Sequence, residues 1–156
     1  MLSQTPSLRD IGMLAWGHLR HIAPGASMAI FTIEASRGGL VAQFAAGPSA
    51  ERLNGLAMNV AQRVSGWVAA NGQPMFNADA HLDLEQATEL RFAVSLPLIA
   101  EGRLVAVMTL YASEAFSEPQ MRRLEIIAPH FAASMQTIEV ERLRNSGSEL
   151  RVVARR

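Results

Sequence analysis

SGWVAANGQPMFNAD (residues 65–79), FAVSLPLIAEGRLVAVMTLY (92–111) and FSEPQ (116–120) carry the reading of the fold. In the first piece, Val64, Trp67 and Val68 fall on one side of a helix spanning Ser65 to Asn71. Asn71-Gly72 ends that helix, because both residue types tolerate the left-handed conformation. Pro74 to Asn77 reads as a short strand. The second piece is a hairpin: Phe92 to Ala100 and Leu104 to Tyr111 flank the tight turn Glu101-Gly102-Arg103. Phe92, Val94, Leu96 and Leu98 share one strand face, and Ala93, Ser95, Pro97 and Ile99 share the other. Pro97 brings no ladder donor and is expected at a bulge or a non-hydrogen-bonded position. The third piece begins a helix, with Ser117 at the N-cap, Pro119 in the first turn and Gln120 at the capping-box position. That helix is expected to run to about Leu143, with a bend at Pro129.

Upstream, Leu8, Ile11, Leu14, Ala15, Leu19 and Ile22 recur at helical spacing. Ser7 is the expected N-cap, Asp10 the acidic residue of the first turn and Pro24-Gly25 the stop. Ser27 to Ala35 and Leu40 to Ala46 read as a second hairpin across Arg37-Gly38-Gly39, broken by Gly47-Pro48-Ser49. Between Ala50 and Val64, residues 56–60 read either as a short strand or as part of a helix. Ala78 to Arg91 is polar and loop-like, with one helical turn expected near Leu84 to Leu90. Asn145-Ser-Gly-Ser148 reads as a linker. The division that follows is one domain over residues 7–143 and a linker or tail over 144–156.

The 156 residues suit a single core, since domains commonly hold about 100–200 residues. With 49% hydrophobic and 18% charged residues the chain has the makings of a packed interior, not of a disordered segment. Its formal net charge of zero leaves no electrostatic footprint for nucleic acid. The local basic end (Arg142, Arg144, Arg151, Arg155, Arg156) reads as a solvated helix end and tail. Neither cysteine nor lysine occurs. There is therefore no thiolate nucleophile, disulfide or Cys-based zinc site, and no phosphate-loop lysine or Schiff-base amine. All fourteen basic residues are arginine, a bias that reflects base composition rather than chemistry. No apolar run reaches the about 18 residues of a membrane span, and Met1-Leu-Ser-Gln-Thr-Pro6 lacks the pattern of a signal peptide. The expectation is a cytoplasmic protein that engages neither membrane nor nucleic acid.

The order helix, hairpin, variable middle, hairpin, long helix over residues 7–143 resembles the GAF domain family. The most specific pieces are Ser65-Gly66-Trp67-Val68 leading to Gln73-Pro74-Met75; Ser95-Leu96-Pro97-Leu98 followed by Gly102 and Val105-Ala106-Val107-Met108-Thr109-Leu110; and Phe116 ahead of the acidic, capped helix. The resemblance implies an α+β, PAS-related fold with a central antiparallel sheet of five or six strands. The first and last helices would lie on one face, and variable helices, loops and a pocket on the other. It also implies a regulatory domain that binds a small molecule. The wider setting would be a bacterial signalling protein: a histidine kinase, a cyclic-dinucleotide enzyme or a transcription regulator. The family's bilin-binding and methionine-sulfoxide-reducing branches work through Cys, which is absent. The cyclic-nucleotide branch has an Asn-Lys start to its motif, and here Asn77 is followed by Ala78. Haem-binding members use a His ligand; the histidines available are His18, His21, His81 and His130.

On this resemblance Trp67, Met75, Phe92, Val94, Leu96 and Met108 are expected to line an apolar pocket, or to be plain core. Arg91 reads as an anion partner or a surface residue. Asp79, His81 and Asp83 read as a pocket lid or a solvated loop, and as too few ligands for a metal site. No cofactor is implied. Leu124, Ala128, Phe131, Met135 and Ile138 step along the last helix at a/d-like spacing. A helix of about 26 residues is roughly 39 Å long, enough to outrun the domain. A parallel homodimer through Leu14, Phe131, Met135 and Ile138 is expected to cover it. There is no nucleophile–base pair, phosphate-cradling Gly loop or usefully spaced carboxylate pair. Ser65, His81 and Asp79 form a catalytic set only on paper, so no enzymatic activity is expected. The alternative to a sensor is a dimerisation or docking scaffold whose pocket is filled by its own side chains.

Overall fold

Among the described residues of the computed structural model, eleven elements follow one another. They are α1 (Leu8–Ile22), β1 (Ser27–Glu34), β2 (Gly39–Ala46), α2 (Ala50–Leu53), β3 (Ala57–Asn59), α3 (Arg63–Asn71), β4 (Met75–Asp79), α4 (His81–Leu84), β5 (Phe92–Ala100), β6 (Arg103–Ala112) and α5 (Glu118–Ala154). The structure describes residues 7–154 apart from 35, 37, 86 and 87, and the side chains of α5 as far as residue 138. The turn expected at Arg37, the N-terminal residues 1–6 and the end of the basic tail, Arg155-Arg156, lie outside the described residues.

Local chemistry sets the helix ends where the sequence suggests. Ser7 and Asp10 form a reciprocal capping box at α1. Ser117 and Gln120 do the same at α5, with the Ser117 amide donating to Gln120 Oε1 at 2.8 Å and the Gln120 amide to Ser117 Oγ at 3.2 Å. Gln120 Nε2 also donates to the carbonyl of Ile22, which ties the start of α5 to the end of α1. Gly72 closes α3 in the left-handed conformation. Glu101 and Gly102, both at positive φ, make the two-residue turn between β5 and β6.

The six strands pair antiparallel in the order β3-β2-β1-β6-β5-β4. Strand alternation splits the interior into two cores. Met28, Ile30, Val94, Leu96, Leu98, Met108 and Leu110 face α1 and α5, meeting Ile11, Leu19, Leu124, Phe131 and Met135. Ala29, Phe31, Ala93, Val107 and Tyr111 face the other way, against Leu53 of α2, Val64 and Val68 of α3 and Leu84 of α4. Strand β2 serves both cores. Ile30 pairs with Phe44 but Phe31 pairs with Ala42, so one extra residue, Gln43, is bulged out between them. That residue reverses the side-chain phase, sending Phe44 to the α1/α5 core and Leu40 and Ala42 to the other. Pro97 lies beyond the last β4 partner of β5, Met75↔Ser95, where β5 has a neighbour on one side only and a missing donor is tolerated.

Three local readings change. The undecided segment 50–64 divides into a four-residue helix, α2, and a short edge strand, β3. The helical turn expected near Leu84 to Leu90 falls earlier, at His81–Leu84, where Asp79 Oδ1 accepts from the His81 amide. Helix α5 passes Leu143 and the expected linker at Asn145–Ser148 and continues to Ala154. Glu, Leu and Arg on both sides of that segment favour helix, and the one interior Gly costs only about 1 kcal/mol relative to Ala, which does not stop it.

Two glycines separate propensity from packing. A Cβ added to Gly17, on the exposed side of α1, would meet nothing within 4 Å, whereas a Cβ on Gly66 of α3 would collide with the Asn59 carbonyl oxygen. Gly17→Ala is expected to raise stability by up to about 1 kcal/mol. Gly66→Ala is expected to lower it by about 1–3 kcal/mol despite the same gain in propensity. Chemical denaturation of both variants checks the pair; equal shifts would remove the packing argument.

Candidate functional site

Helix α3 begins without help from its own N-cap, since Gln62 makes no side-chain cap bond. The free amides of its first turn are met from a distance by Asp83 of α4. Val64 N donates to Asp83 Oδ1 at 2.9 Å, and Ser65 N donates to Oδ1 at 3.2 Å and Oδ2 at 3.3 Å. Two hydroxyls also donate to Oδ2: Ser65 Oγ at 2.7 Å and Tyr111 Oη at 2.6 Å. Thr109 Oγ1 lies 2.7 Å from Ser65 Oγ and 2.8 Å from Ser95 Oγ. With Ser65 committed to the carboxylate, the proton order Ser95→Thr109→Ser65→Asp83←Tyr111 spends every hydroxyl donor. All five side chains are 0% exposed. A buried carboxylate is held here by a helix N-terminus and neutral donors, and among the described residues no buried side-chain polar atom lacks a partner.

Arg63 links this interior to the surface. Its Nη2 pairs with Glu85 at 2.6 Å and its Nη1 donates to the main-chain oxygen of Asp83 at 3.4 Å. It also lines a cleft of about 400 Å³ at the β2–β3 edge, together with Leu40, Met58, Asn59, Gln62 and Glu34. Leu40 and Met58 belong to the core beneath α3, so the cleft opens on the α3 side of the sheet. Its volume lies within the range of small-molecule sites, roughly 300–1,000 Å³, and its walls combine an apolar floor with charge of both signs. On the far edge, Asn77 sits in the left-handed region where the β4–β5 register shifts. Its amide clamps Phe116, donating to the carbonyl at 3.0 Å and accepting from the amide at 2.8 Å. Strand β4 is thereby pinned to the residue that precedes the α5 cap.

The residues expected to line one apolar pocket are not brought together. Val94, Leu96 and Met108 lie in the core with α1 and α5, and Phe92 packs against that core. Met75 packs on the opposite core, and Trp67 is exposed on α3. The reason is phase: even-numbered β5 positions and their β6 partners face α5. Tyr111, Phe31, Val64, Val68 and Leu90 occupy the space beneath α3 instead. Arg91 is exposed. Asp79 and His81 are exposed while Asp83 is buried, so the three side chains do not converge on one point, although Asp79 accepts from the His81 amide. His81 Nε2 lies 3.2 Å from the Thr88 carbonyl, and Ser65 is engaged by Asp83, so the paper triad of Ser65, His81 and Asp79 is not assembled. His18, His21 and His130 are exposed, with His18 tilted against the ring of Phe131.

The expected dimer residues divide as well. Phe131 and Met135 are each 5% exposed within the chain's own core, and Ile138 packs against it, because this stripe seats α5 on the sheet. Leu14 stays exposed at 58%, alongside Met13 at 51%, and Ile126 of α5 is exposed at 65%. Sequence reasoning missed the network of Tyr111, Thr109, Ser95 and Ser65. The signal available was polar residues at alternate positions in otherwise apolar strands.

Comparison with known proteins gives one family. The family model described as GAF domain matches residues 7–136. The structure superposes on the GAF-B domain of DevS from Mycobacterium smegmatis with a TM-score of 0.70 at 18% identity, covering 86% of this chain and 96% of that one. The GAF domain of a phosphoenolpyruvate-protein phosphotransferase from Coxiella burnetii gives 0.67 at 19%, covering 91% and 88%. The free methionine-R-sulfoxide reductase from Thermoplasma acidophilum gives 0.62 at 14%, covering 81% and 95%. At these identities the likeness is one of fold. No curated protein matches the chain.

The network has a spectroscopic consequence. Burial, the negative charge of Asp83 and the bond donated to it raise the Tyr111 phenol well above its ordinary value of 10.0. The folded protein thus holds this proton to higher pH than the unfolded chain. The resulting stabilisation is complete below pH 10 and is lost as pH rises from there toward the folded-state value. Tyr111 is the chain's one tyrosine. In an alkaline titration, phenolate absorbance is expected to appear only with loss of the folded circular-dichroism signal; ionisation near pH 10 in the folded state would contradict the burial.

Proposed function

The chain belongs to the GAF domain family, and we propose that it serves as the non-catalytic sensor part of a bacterial cytoplasmic signalling protein. A small molecule occupies the cleft at the β2–β3 edge, and its binding is relayed through α5 to an output module such as a kinase, a cyclic-dinucleotide enzyme or a transcription regulator. The observation that carries this reading is Arg63, which lines the cleft and also contacts α4. The chain runs from α4 back into β4, where Asn77 is fastened to Phe116 at the threshold of α5. A ligand that favours one arrangement of these contacts biases the position of α5. Two copies associate in parallel through the exposed apolar residues Met13, Leu14 and Ile126 and the length of α5, about 55 Å for its 37 residues.

A second reading has its own observation. The space beneath α3 is filled by the chain's own side chains, which favours a dimerisation or docking scaffold without a ligand. Among the described residues no helix is long and apolar enough to cross a membrane, and neither reading calls for one.

Native mass spectrometry of freshly purified protein tests the two. The sensor reading expects a dimer carrying extra small-molecule mass. It also expects that mass to vanish in Ala57→Trp, which adds bulk at an exposed, cleft-lining position of β3. A bare dimer whose melting does not respond to cell extract metabolites would establish the scaffold instead, and a monomer would overturn the dimer.

A further inference from the structure

Helix α4 is four residues long, too short to be stable by itself in water. Leu84 and the N-cap residue Ala80 are buried in the core under α3, and the polar groups that complete its attachment are few and unusually placed. Inward, Asp83 accepts from four donors of α3 and β6, the amides of Val64 and Ser65 (the latter shared between both oxygens) and the hydroxyls of Ser65 and Tyr111. Outward, Leu82 is exposed and Glu85 reaches back to Arg63. The two partners of that ion pair, Arg63 (φ 63°) and Glu85 (φ 62°), are both left-handed, a conformation that residues with a side chain seldom adopt. One opens α3 and the other closes α4. Backbone strain therefore lies at both ends of the contact between these helices, and one guanidinium holds both ends in place.

We propose that α4 is a latch that closes the α3 face, with Asp83 as its bolt and Arg63 as its release. This deepens the sensor reading, on which its biological purpose rests. In the closed state Arg63 is committed to Glu85 and to the main-chain oxygen of Asp83. A molecule in the cleft that takes hydrogen bonds from Arg63 takes them from α4. The left-handed backbone at Glu85 is then free to relax, and Asp83 is withdrawn from the α3 amides. Departure of α4 uncovers the hydroxyls of Ser65, Thr109 and Tyr111 and pulls on β4, which Asn77 binds to the start of α5. Closure is the resting state because the interior carboxylate meets four donors there, two amides and two hydroxyls, which water would have to replace on opening.

Amide hydrogen exchange of the ligand-free full chain, followed by mass spectrometry, tests the latch. The reporters are the amides of Ala80, Asp83, Leu84 and Glu85, which bond to Arg91, Ala80 and His81. The β1–β6 ladder is the internal reference. Glu85→Gln keeps the side chain's shape at an exposed site and is expected to speed exchange at α4 severalfold, with the ladder unchanged. Asp83→Asn is expected to speed it by about tenfold or more, the loss of bonds to a charged acceptor. Acceleration spread evenly over α4 and the ladder would reduce Asp83 to a structural residue and overturn the latch. Unchanged exchange at α4 in Glu85→Gln would overturn the role of Arg63. Neither result depends on a ligand, so a sensor without a latch and a latch without a sensor are told apart by this experiment and the mass spectrum together.

Discussion

A single carboxylate holds one face of this domain together. Asp83 is fully buried, and its charge is answered by two main-chain amides at the start of α3 and two hydroxyl groups. Removing such a group from water is expensive unless its bonding capacity is met, so its position fixes several others. It sets where α3 begins, because that helix's own N-cap residue offers no cap bond. It accepts from the Tyr111 hydroxyl of β6 and orders the hydroxyls of Ser65, Thr109 and Ser95 behind it. It brings α4 down onto α3 and so decides what space remains over the sheet. Phe31, Val64, Val68 and Leu84 pack around it on that face, whereas the opposite face has, among the described residues, no buried charged group. There α1 and α5 are seated by aliphatic and aromatic packing, and the polar contacts, such as Gln120 to the Ile22 carbonyl, lie at the margin.

Much of the frame can be read from the chain because it rests on local rules. Ser7 with Asp10 and Ser117 with Gln120 announce their helices through capping chemistry, and Asn71-Gly72 and Gly102 announce their turns through the conformations they tolerate. The alternation in β5 correctly groups Val94 with Leu96 and Leu98. What alternation cannot give is which of two buried faces a set belongs to, since both are apolar. For that reason Val94, Leu96 and Met108 read as pocket residues, whereas they pack on α5. The bulge at Gln43 is a further example: one residue reverses the phase of β2, and nothing in its neighbourhood marks the place.

The site is less legible still, because it is made by contacts distant in sequence. Asp83 stands next to Asp79 and His81 and looks like a third member of a polar loop. Only the fold turns it inward, toward residues 18 to 28 positions away. Phe131 and Met135 have the spacing of an intermolecular seam, yet they are consumed within the chain, and among the described residues of α1 and α5 the large apolar side chains left exposed are Met13, Leu14 and Ile126. The general lesson is physical: an apolar stripe says that a face will be covered, and the geometry of the whole domain says by what.

The most direct test of the central role given to Asp83 is a double-mutant cycle with Tyr111, using Asp83→Asn, Tyr111→Phe and the combined variant in equilibrium denaturation. If the buried hydroxyl and carboxylate act as one unit, their coupling is about 1–3 kcal/mol, as for other directly bonded partners in a network. Additive effects, with a coupling near zero, would mean that Tyr111 and Asp83 are buried side by side without depending on each other, and would contradict the account.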